Sequence, residues 1–91
     1  MDEALVWRKF LAEWPEDIPH IGVIVTALDQ VPFVDFMLSE HFGLFERRAP
    51  DTVGGRRVMI PYNKIAAIKF VEPIPNEKFA ACGFRAAKLA D

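Results

Sequence analysis

The amino-acid sequence predicts a mainly β domain: a small, five-stranded bent barrel with an N-terminal α-helix and a short C-terminal helical tail. Three observations lead to this fold class. The chain has 91 residues, which is enough for one domain with a thin core. Its hydrophobic fraction of 52% excludes a disordered chain. Apolar side chains recur with the period of a helix near the start and with a period of two through much of residues 20–72.

Residues 2–14 are predicted to form one amphipathic helix. Asp2 can cap its first turn, and Pro15 disfavours helical geometry at Trp14. Trp7 and Leu11 share one face with Trp14, because the three are spaced by four and three residues. We expect this face to pack against the domain. The acidic residues around it argue against binding to a membrane surface.

Five short strands are predicted within residues 20–72. Their bounds are 21–28, 33–38, 44–48, 56–60 and 65–71. The pair Gly54-Gly55 predicts a hairpin between the third and fourth strands. A tight turn at residues 61–64, placed just before the last strand, is typical of SH3-like barrels. We predict a barrel because closure removes exposed strand edges.

Residues 73–91 are predicted to form a short tail that completes a single domain spanning residues 1–91. Asn76 can cap a short helix in this tail. The apolar stripe of that helix would consist of Phe79, Cys82, Ala86 and Leu89.

The two halves of the chain carry opposite charge. Residues 1–46 hold nine acidic and two basic side chains, a formal charge of −7, whereas residues 47–91 hold nine basic and four acidic ones, a formal charge of +5. Three interpretations stay open: ordinary solvated surfaces, docking of the acidic side of one copy on the basic side of the next, and binding of phosphates by the basic part. The last two are compatible with each other.

No catalytic or metal-binding motif is present. Neither His20 nor His41 has a second metal ligand at the spacing of a helix or a strand. Cys82 lies in an alanine-rich segment, which favours a packing role over a nucleophilic one. We therefore expect no cofactor, no metal ion and no enzymatic activity.

The same features predict a cytoplasmic protein. A lone cysteine fits a reducing compartment, and the acidic start of the chain is unlike a signal peptide. The longest uncharged stretch, residues 18–28, is too short for a membrane span. We expect no membrane partner.

Four arginines flank the predicted hairpin, Arg47 and Arg48 on one arm and Arg56 and Arg57 on the other. Like charges on neighbouring strands repel each other, so this cluster favours an anionic counterpart. That counterpart is phosphate, the carboxylates of a neighbouring subunit, or only solvent and salt.

Aromatic and basic residues also occur in two predicted turns. His41 and Phe42 lie in the turn after the second strand, and Tyr62 and Lys64 lie in the turn before the last strand. Flat rings on the loops of a barrel commonly stack the bases of single-stranded nucleic acid, and a nearby lysine can hold phosphate. The alternative is that Phe42 and Tyr62 seal the end of the barrel.

Residues 20–72 resemble the Sm and Sm-like (LSm) family. The first family motif is similar to residues 23–29, 33–38 and 39–44, and the second, Ile-Arg-Gly-x-x-Ile/Val, is similar to residues 60–65. His41 keeps the stacking position of the family. Ser39 stands where the family has Asp, Gly43 where it has its base-reading Asn, and Pro61-Tyr62 where it has Arg-Gly. The pattern Ile-Pro-Tyr-x-x-Ile also occurs in other small barrels, such as PRC-like domains.

The resemblance implies a homo-oligomeric ring that binds single-stranded RNA or DNA and acts in nucleic-acid processing or chaperoning. In such a ring, residues 56–60 of one copy would pair with residues 65–71 of the next. The departures from the motifs leave two outcomes open, stacking without base choice or no RNA binding. A non-catalytic scaffolding oligomer that binds protein partners is the alternative function.

Overall fold

The computed structural model describes residues 2–87 of the chain. In this part it has one α-helix, six short strands and two 3-10 helices. The helix is α1 (Glu3–Ala12), and the strands are β1 (Gly22–Val25), β2 (Gln30–Phe33), β3 (Asp35–Leu38), β4 (Phe42–Glu46), β5 (Arg57–Pro61) and β6 (Ala67–Lys69). The 3-10 helices are Tyr62–Lys64 and Asn76–Cys82. No helix within residues 2–87 is long and apolar enough to cross a membrane.

Helix α1 is confirmed, and it ends two residues before the predicted boundary. The carboxylate of Asp2 accepts a hydrogen bond from the backbone N–H of Ala4 at 3.0 Å, so the predicted cap forms. Trp14 lies outside the helix, and its indole N–H donates to the carbonyl of Ile18 at 2.8 Å. Pro15 disfavours helical geometry at Trp14, and this hydrogen bond holds the turn that replaces the last helical residues.

The strands form two antiparallel sheets, with the orders β2–β1–β6 and β3–β4–β5. Only Val34 separates β2 from β3, and its N–H donates to the carbonyl of Glu46 at 2.8 Å. The predicted second strand, residues 33–38, therefore covers β3 and only the last residue of β2, and most of β2 was not predicted. A bend at Val34 joins the two strands. The mainly β class is confirmed. No hydrogen-bonded ladder closes the two sheets into a barrel in the part of the chain that the structure describes.

The predicted hairpin between β4 and β5 is confirmed. The N–H of Arg47 donates to the carbonyl of Arg56 at 2.8 Å, which extends the ladder beyond the two strands. The Asp51 carboxylate accepts the N–H groups of Gly55 at 2.7 Å and of Val53 at 3.0 Å. These backbone hydrogen bonds lower the pKa of Asp51. The tip needs glycine, because Gly54 has a φ of 88°.

The core lies between the two sheets and under α1. It contains side chains from α1, from residues 14–18 between α1 and β1, from strands of both sheets and from residues 62–65. Its buried members are Leu11, Trp14, Ile18, Ile24, Val31, Phe33, Phe45, Ile60, Tyr62 and Ile65.

Trp14 occupies the centre of an aromatic cluster inside this core. Its ring centroid lies 5.5 Å from Phe10, 6.2 Å from Phe33, and 5.2 Å from both Phe36 and Phe70. These partners come from α1, from both sheets and from the segment after β6. One side chain thus connects every layer of the domain.

The helical tail takes the form of the 3-10 helix Asn76–Cys82. Phe79 is half-buried, with its ring centroid 5.1 Å from that of Phe70. Cys82 is half-buried too, and burial raises the pKa of its thiol. Ala86 is exposed rather than packed in the predicted stripe, because the helix ends at Gly83, whose φ is 91°. Leu89 lies outside the described residues.

Replacing Trp14 is expected to destabilise the domain more than any exposed substitution. Trp14→Ala should lower the free energy of unfolding by about 3–5 kcal/mol, because it leaves a cavity in the aromatic cluster. Trp14→Phe should cost about 1–3 kcal/mol, since the Ile18 carbonyl loses its buried donor. Urea unfolding followed by circular dichroism measures both. Leu28→Ala is the control, because Leu28 is 97% exposed. A loss for Trp14→Ala no larger than that of the control would contradict the central role of Trp14.

Candidate nucleic-acid interface

Two turns meet at one end of the domain, as the sequence predicts. The N–H of Tyr62 donates to the carbonyl of His41 at 3.2 Å, and the phenol of Tyr62 donates to the carbonyl of Ser39 at 2.6 Å. Phe42 lies directly opposite Pro61 in the β4–β5 ladder. We call residues 39–42 and 61–64 the turn end. Its backbone is fixed by hydrogen bonds between segments more than twenty residues apart.

His41 and Phe42 are the accessible rings of the turn end. The His41 side chain is 76% exposed and lies 3.9 Å from the Glu40 carboxylate, and Phe42 is 38% exposed. The turn that carries them is closed by Ser39. Its backbone N–H donates to the Phe42 carbonyl at 2.9 Å, and its hydroxyl oxygen accepts the Phe42 N–H at 3.2 Å. Both rings are therefore available to a ligand on a well-defined backbone.

Tyr62 does not have the predicted stacking position. Only 2% of the residue is exposed, so its ring has no free face for a base. Burial raises the pKa of the Tyr62 phenol, while the nearby charge of Arg8 acts in the opposite direction. The alternative role fits instead: Tyr62 closes the core at the turn end, with its hydroxyl satisfied by Ser39.

Two basic residues lie at or near this end. Lys64 is exposed on the 3-10 helix that follows Pro61. Arg8 is exposed on α1, close enough to Tyr62 for its charge to act on the phenol. The sequence did not single out Arg8, because its position depends on the docking of α1 against the 3-10 helix Tyr62–Lys64, a contact between distant segments.

The four arginines lie at the hairpin end of the β4–β5 ladder, away from the turn end. Arg57 lies opposite Glu46, whereas Phe42 lies opposite Pro61 at the other end of the same ladder. Four residue steps along an antiparallel strand span roughly 14 Å. The structure therefore separates the predicted stacking residues from the predicted arginine cluster by the length of β4.

Two of these arginines interact with groups of their own chain. Arg57 lies 3.7 Å from the Glu46 carboxylate, and Arg47 donates from its Nε to the carbonyl of Ala49 at 3.3 Å. Arg48 and Arg56 are exposed and make no ion pair with any residue from 2 to 87. An anion approaching the hairpin would therefore meet Arg48 and Arg56 as its uncommitted positive charges.

Gly43, which the resemblance to Sm proteins aligns with a base-reading asparagine, has no room for a side chain. It is buried, and a Cβ atom there would lie 2.6 Å and 2.8 Å from two carbons of the Phe45 ring. Phe45 itself is fully buried, so its ring cannot swing away. Base reading by a side chain at position 43 is excluded by packing.

An apolar groove of about 1110 Å³ lies on another part of the surface, between α1, β6 and the tail. Its aromatic lining residues are Trp7, Phe10, Phe70, Phe79 and Phe84. Among residues 2–87, no three His, Cys, Asp or Glu side chains are grouped closely enough to hold a metal ion.

Comparison of the chain with models of protein families, with curated proteins and with solved structures finds no match.

Introducing an asparagine at position 43 is expected to damage the fold. Gly43→Asn should lower the free energy of unfolding by about 1–3 kcal/mol, because the new side chain overlaps the Phe45 ring. The same substitution in a Phe45→Leu background should cost less, since the smaller side chain leaves space. Urea unfolding of the four chains gives the coupling between the two positions. Equal costs in the two backgrounds would show that the Phe45 ring is not the obstacle.

Proposed function

We propose that this protein is a cytoplasmic, non-catalytic module that binds single-stranded nucleic acid, RNA in the first place, on an SH3-like arrangement of bent sheets of the Sm type. The observation that carries the proposal is the pairing of two accessible rings, His41 and Phe42, on a turn fixed against the 3-10 helix that bears Lys64. Residues of this kind, on adjoining turns of a small β domain, suit the binding of an unpaired strand.

Stacking would supply the contacts to the bases. His41 and Phe42 each offer a flat ring, and stacking of a base on such a ring contributes about 1–3 kcal/mol. Because position 43 holds no side chain that could read a base edge, binding at the turn end would be tolerant of sequence. Arg8 and Lys64 would hold the phosphates next to the stacked bases.

The arginine hairpin would add contacts only for a longer strand. Arg48 and Arg56 lie beyond the end of β4, and β4 alone puts roughly 14 Å between Phe42 and Glu46. A short oligonucleotide held at the turn end would not reach them, whereas a longer one that follows the ladder would. The length of the ligand therefore distinguishes the two groups of basic residues.

Removing the His41 ring is expected to weaken binding of oligo(U) about 5- to 150-fold, the range that corresponds to one stacked base. His41→Ala and His41→Tyr are compared by fluorescence anisotropy at low salt, and His41→Tyr should retain most of the affinity because it keeps a ring. Lys64→Gln should reduce the slope of log affinity against log salt by about 0.7, the value for one phosphate contact with a single strand. Lys9→Gln, on the exposed surface of α1, should leave the slope unchanged.

The hairpin is tested by ligand length. Arg56→Gln should weaken an oligo(U) of about twelve nucleotides and leave the dinucleotide UpU unaffected, since two nucleotides stacked on His41 and Phe42 do not extend along the length of β4. No measurable binding of the longer oligonucleotide even at low salt would overturn the proposed function. Equal losses for both lengths would place Arg56 at the same site as His41, against the separation described above.

A scaffolding homo-oligomer is the second candidate function, and the sheet edges favour it. β5 and β6 each form one edge of their sheet, as β2 and β3 form the opposite edges, and neither has a second strand partner among the described residues. Pairing of β5 with β6 of the next copy would join chains head to tail into a ring. Such a ring also agrees with a nucleic-acid-binding role, so the two functions share this assembly.

Under the scaffold function, Arg56→Glu should break the oligomer, because a reversed charge beside β5 disturbs the contact with the neighbouring copy. The mass in solution, measured by sedimentation velocity, should fall to that of one chain. Oligo(U) binding should be undetectable in both the parent chain and the variant. A parent chain that is monomeric at micromolar concentration would exclude the ring, whichever function it serves.

A further inference from the structure

The outer face of the sheet β3–β4–β5 carries an exposed apolar row. Met37, Leu44 and Met59 lie directly opposite one another on the three strands. Met37 is 68% exposed and Met59 is 62% exposed, although the alternate residues of the same strands fill the core. Large apolar side chains are thus aligned across the whole sheet on its solvent side.

A row of charges lies on one side of this apolar row. Asp35, Glu46 and Arg57 are directly opposite one another, and their side chains are 60%, 46% and 61% exposed. The charge is arranged asymmetrically, with a carboxylate on β3 and a guanidinium on β5. On the other side of the apolar row lie Phe42 and Pro61.

We propose that this face docks on the same face of a second copy, with a twofold axis parallel to β4. This axis exchanges β3 and β5, so Met37 meets the partner's Met59 and Asp35 meets the partner's Arg57. The strands of the two sheets then run in nearly the same direction, as in aligned sheet packing. A twofold axis across the strands would instead place Phe42 against the charged row, which is unfavourable.

The size of the face sets the strength of the contact. Three strands about 4.8 Å apart and five residues at about 3.4 Å per residue cover roughly 14 by 17 Å. The resulting area of about 240 Å² per partner is well below the roughly 800 Å² per partner of a standard interface. The dimer is therefore weak and reversible.

Glu46 opposes the association, which provides a further test. It lies on β4, next to the axis, so the two Glu46 carboxylates of the dimer face each other. Arg57 of the same chain lies 3.7 Å from each of them and offsets part of the repulsion. Removing the Glu46 charge should strengthen the dimer.

Sedimentation equilibrium between about 10 μM and 1 mM tests the contact. The parent chain should show a reversible doubling of mass. Arg57→Asp and Asp35→Arg should each prevent the doubling, and the double variant should restore it, because the two charges exchange places across the axis. Asp35 also lies 3.0 Å from Nδ1 of His20, so folding of the Asp35 variants is checked by circular dichroism.

A second set of variants does not depend on Asp35. Met59→Glu should abolish the doubling, Glu46→Gln should lower the dissociation constant several-fold, and Val53→Glu is the control, since Val53 is 89% exposed on the hairpin tip. If the sheet edges already join copies into a ring, the same variants separate two rings, and the mass again falls by half.

A parent chain without doubling up to 1 mM would overturn the proposal. Single variants that do not rescue each other would overturn the proposed axis.

Discussion

The packing of the Trp14 indole is the contact on which the rest of the structure depends. A chain of 91 residues buries little surface, so a few large aromatic side chains must connect its layers. The Trp14 ring touches α1, both sheets and the segment after β6, and its N–H fixes residues 14–18 by donating to the carbonyl of Ile18. The helix is held over the core by this cluster and by its contact with the 3-10 helix Tyr62–Lys64. That second contact brings Arg8 to the turn end.

The bend at Val34 determines how the surface of the domain is arranged. Because β2 belongs to the other sheet, the sheet that contains β4 ends at β3, and β4 is the middle of only three strands. One end of β4 leads to the exposed rings and the other to the arginine hairpin. Its outer face lies between them. Three chemically different surfaces are therefore arranged along a single five-residue strand.

The features that the sequence predicted well are those determined by neighbouring residues. The cap at Asp2, the stop before Pro15, the glycine tip of the hairpin and the turn at 61–64 all depend on short-range geometry. The site could be predicted only in part. A tyrosine in a turn can either stack on a ligand or be buried in the core. Tyr62 is held in the buried position by a hydrogen bond to Ser39, 23 residues away, which the local sequence does not indicate. The alternation in strand two continues through Val34 without a glycine, so nothing in the pattern indicates the bend.

The two proposed contacts share Phe42. A Phe42 ring that stacks on a base has less surface left for a second copy, because the same side chain lies on the outer face of the sheet. Asp35 and Glu46 on that face repel phosphate, so a bound strand is kept at the turn end. Binding of a strand and face-to-face docking therefore oppose each other. The coupling is reciprocal: the factor by which dimerisation weakens nucleic-acid binding is also the factor by which bound nucleic acid weakens dimerisation.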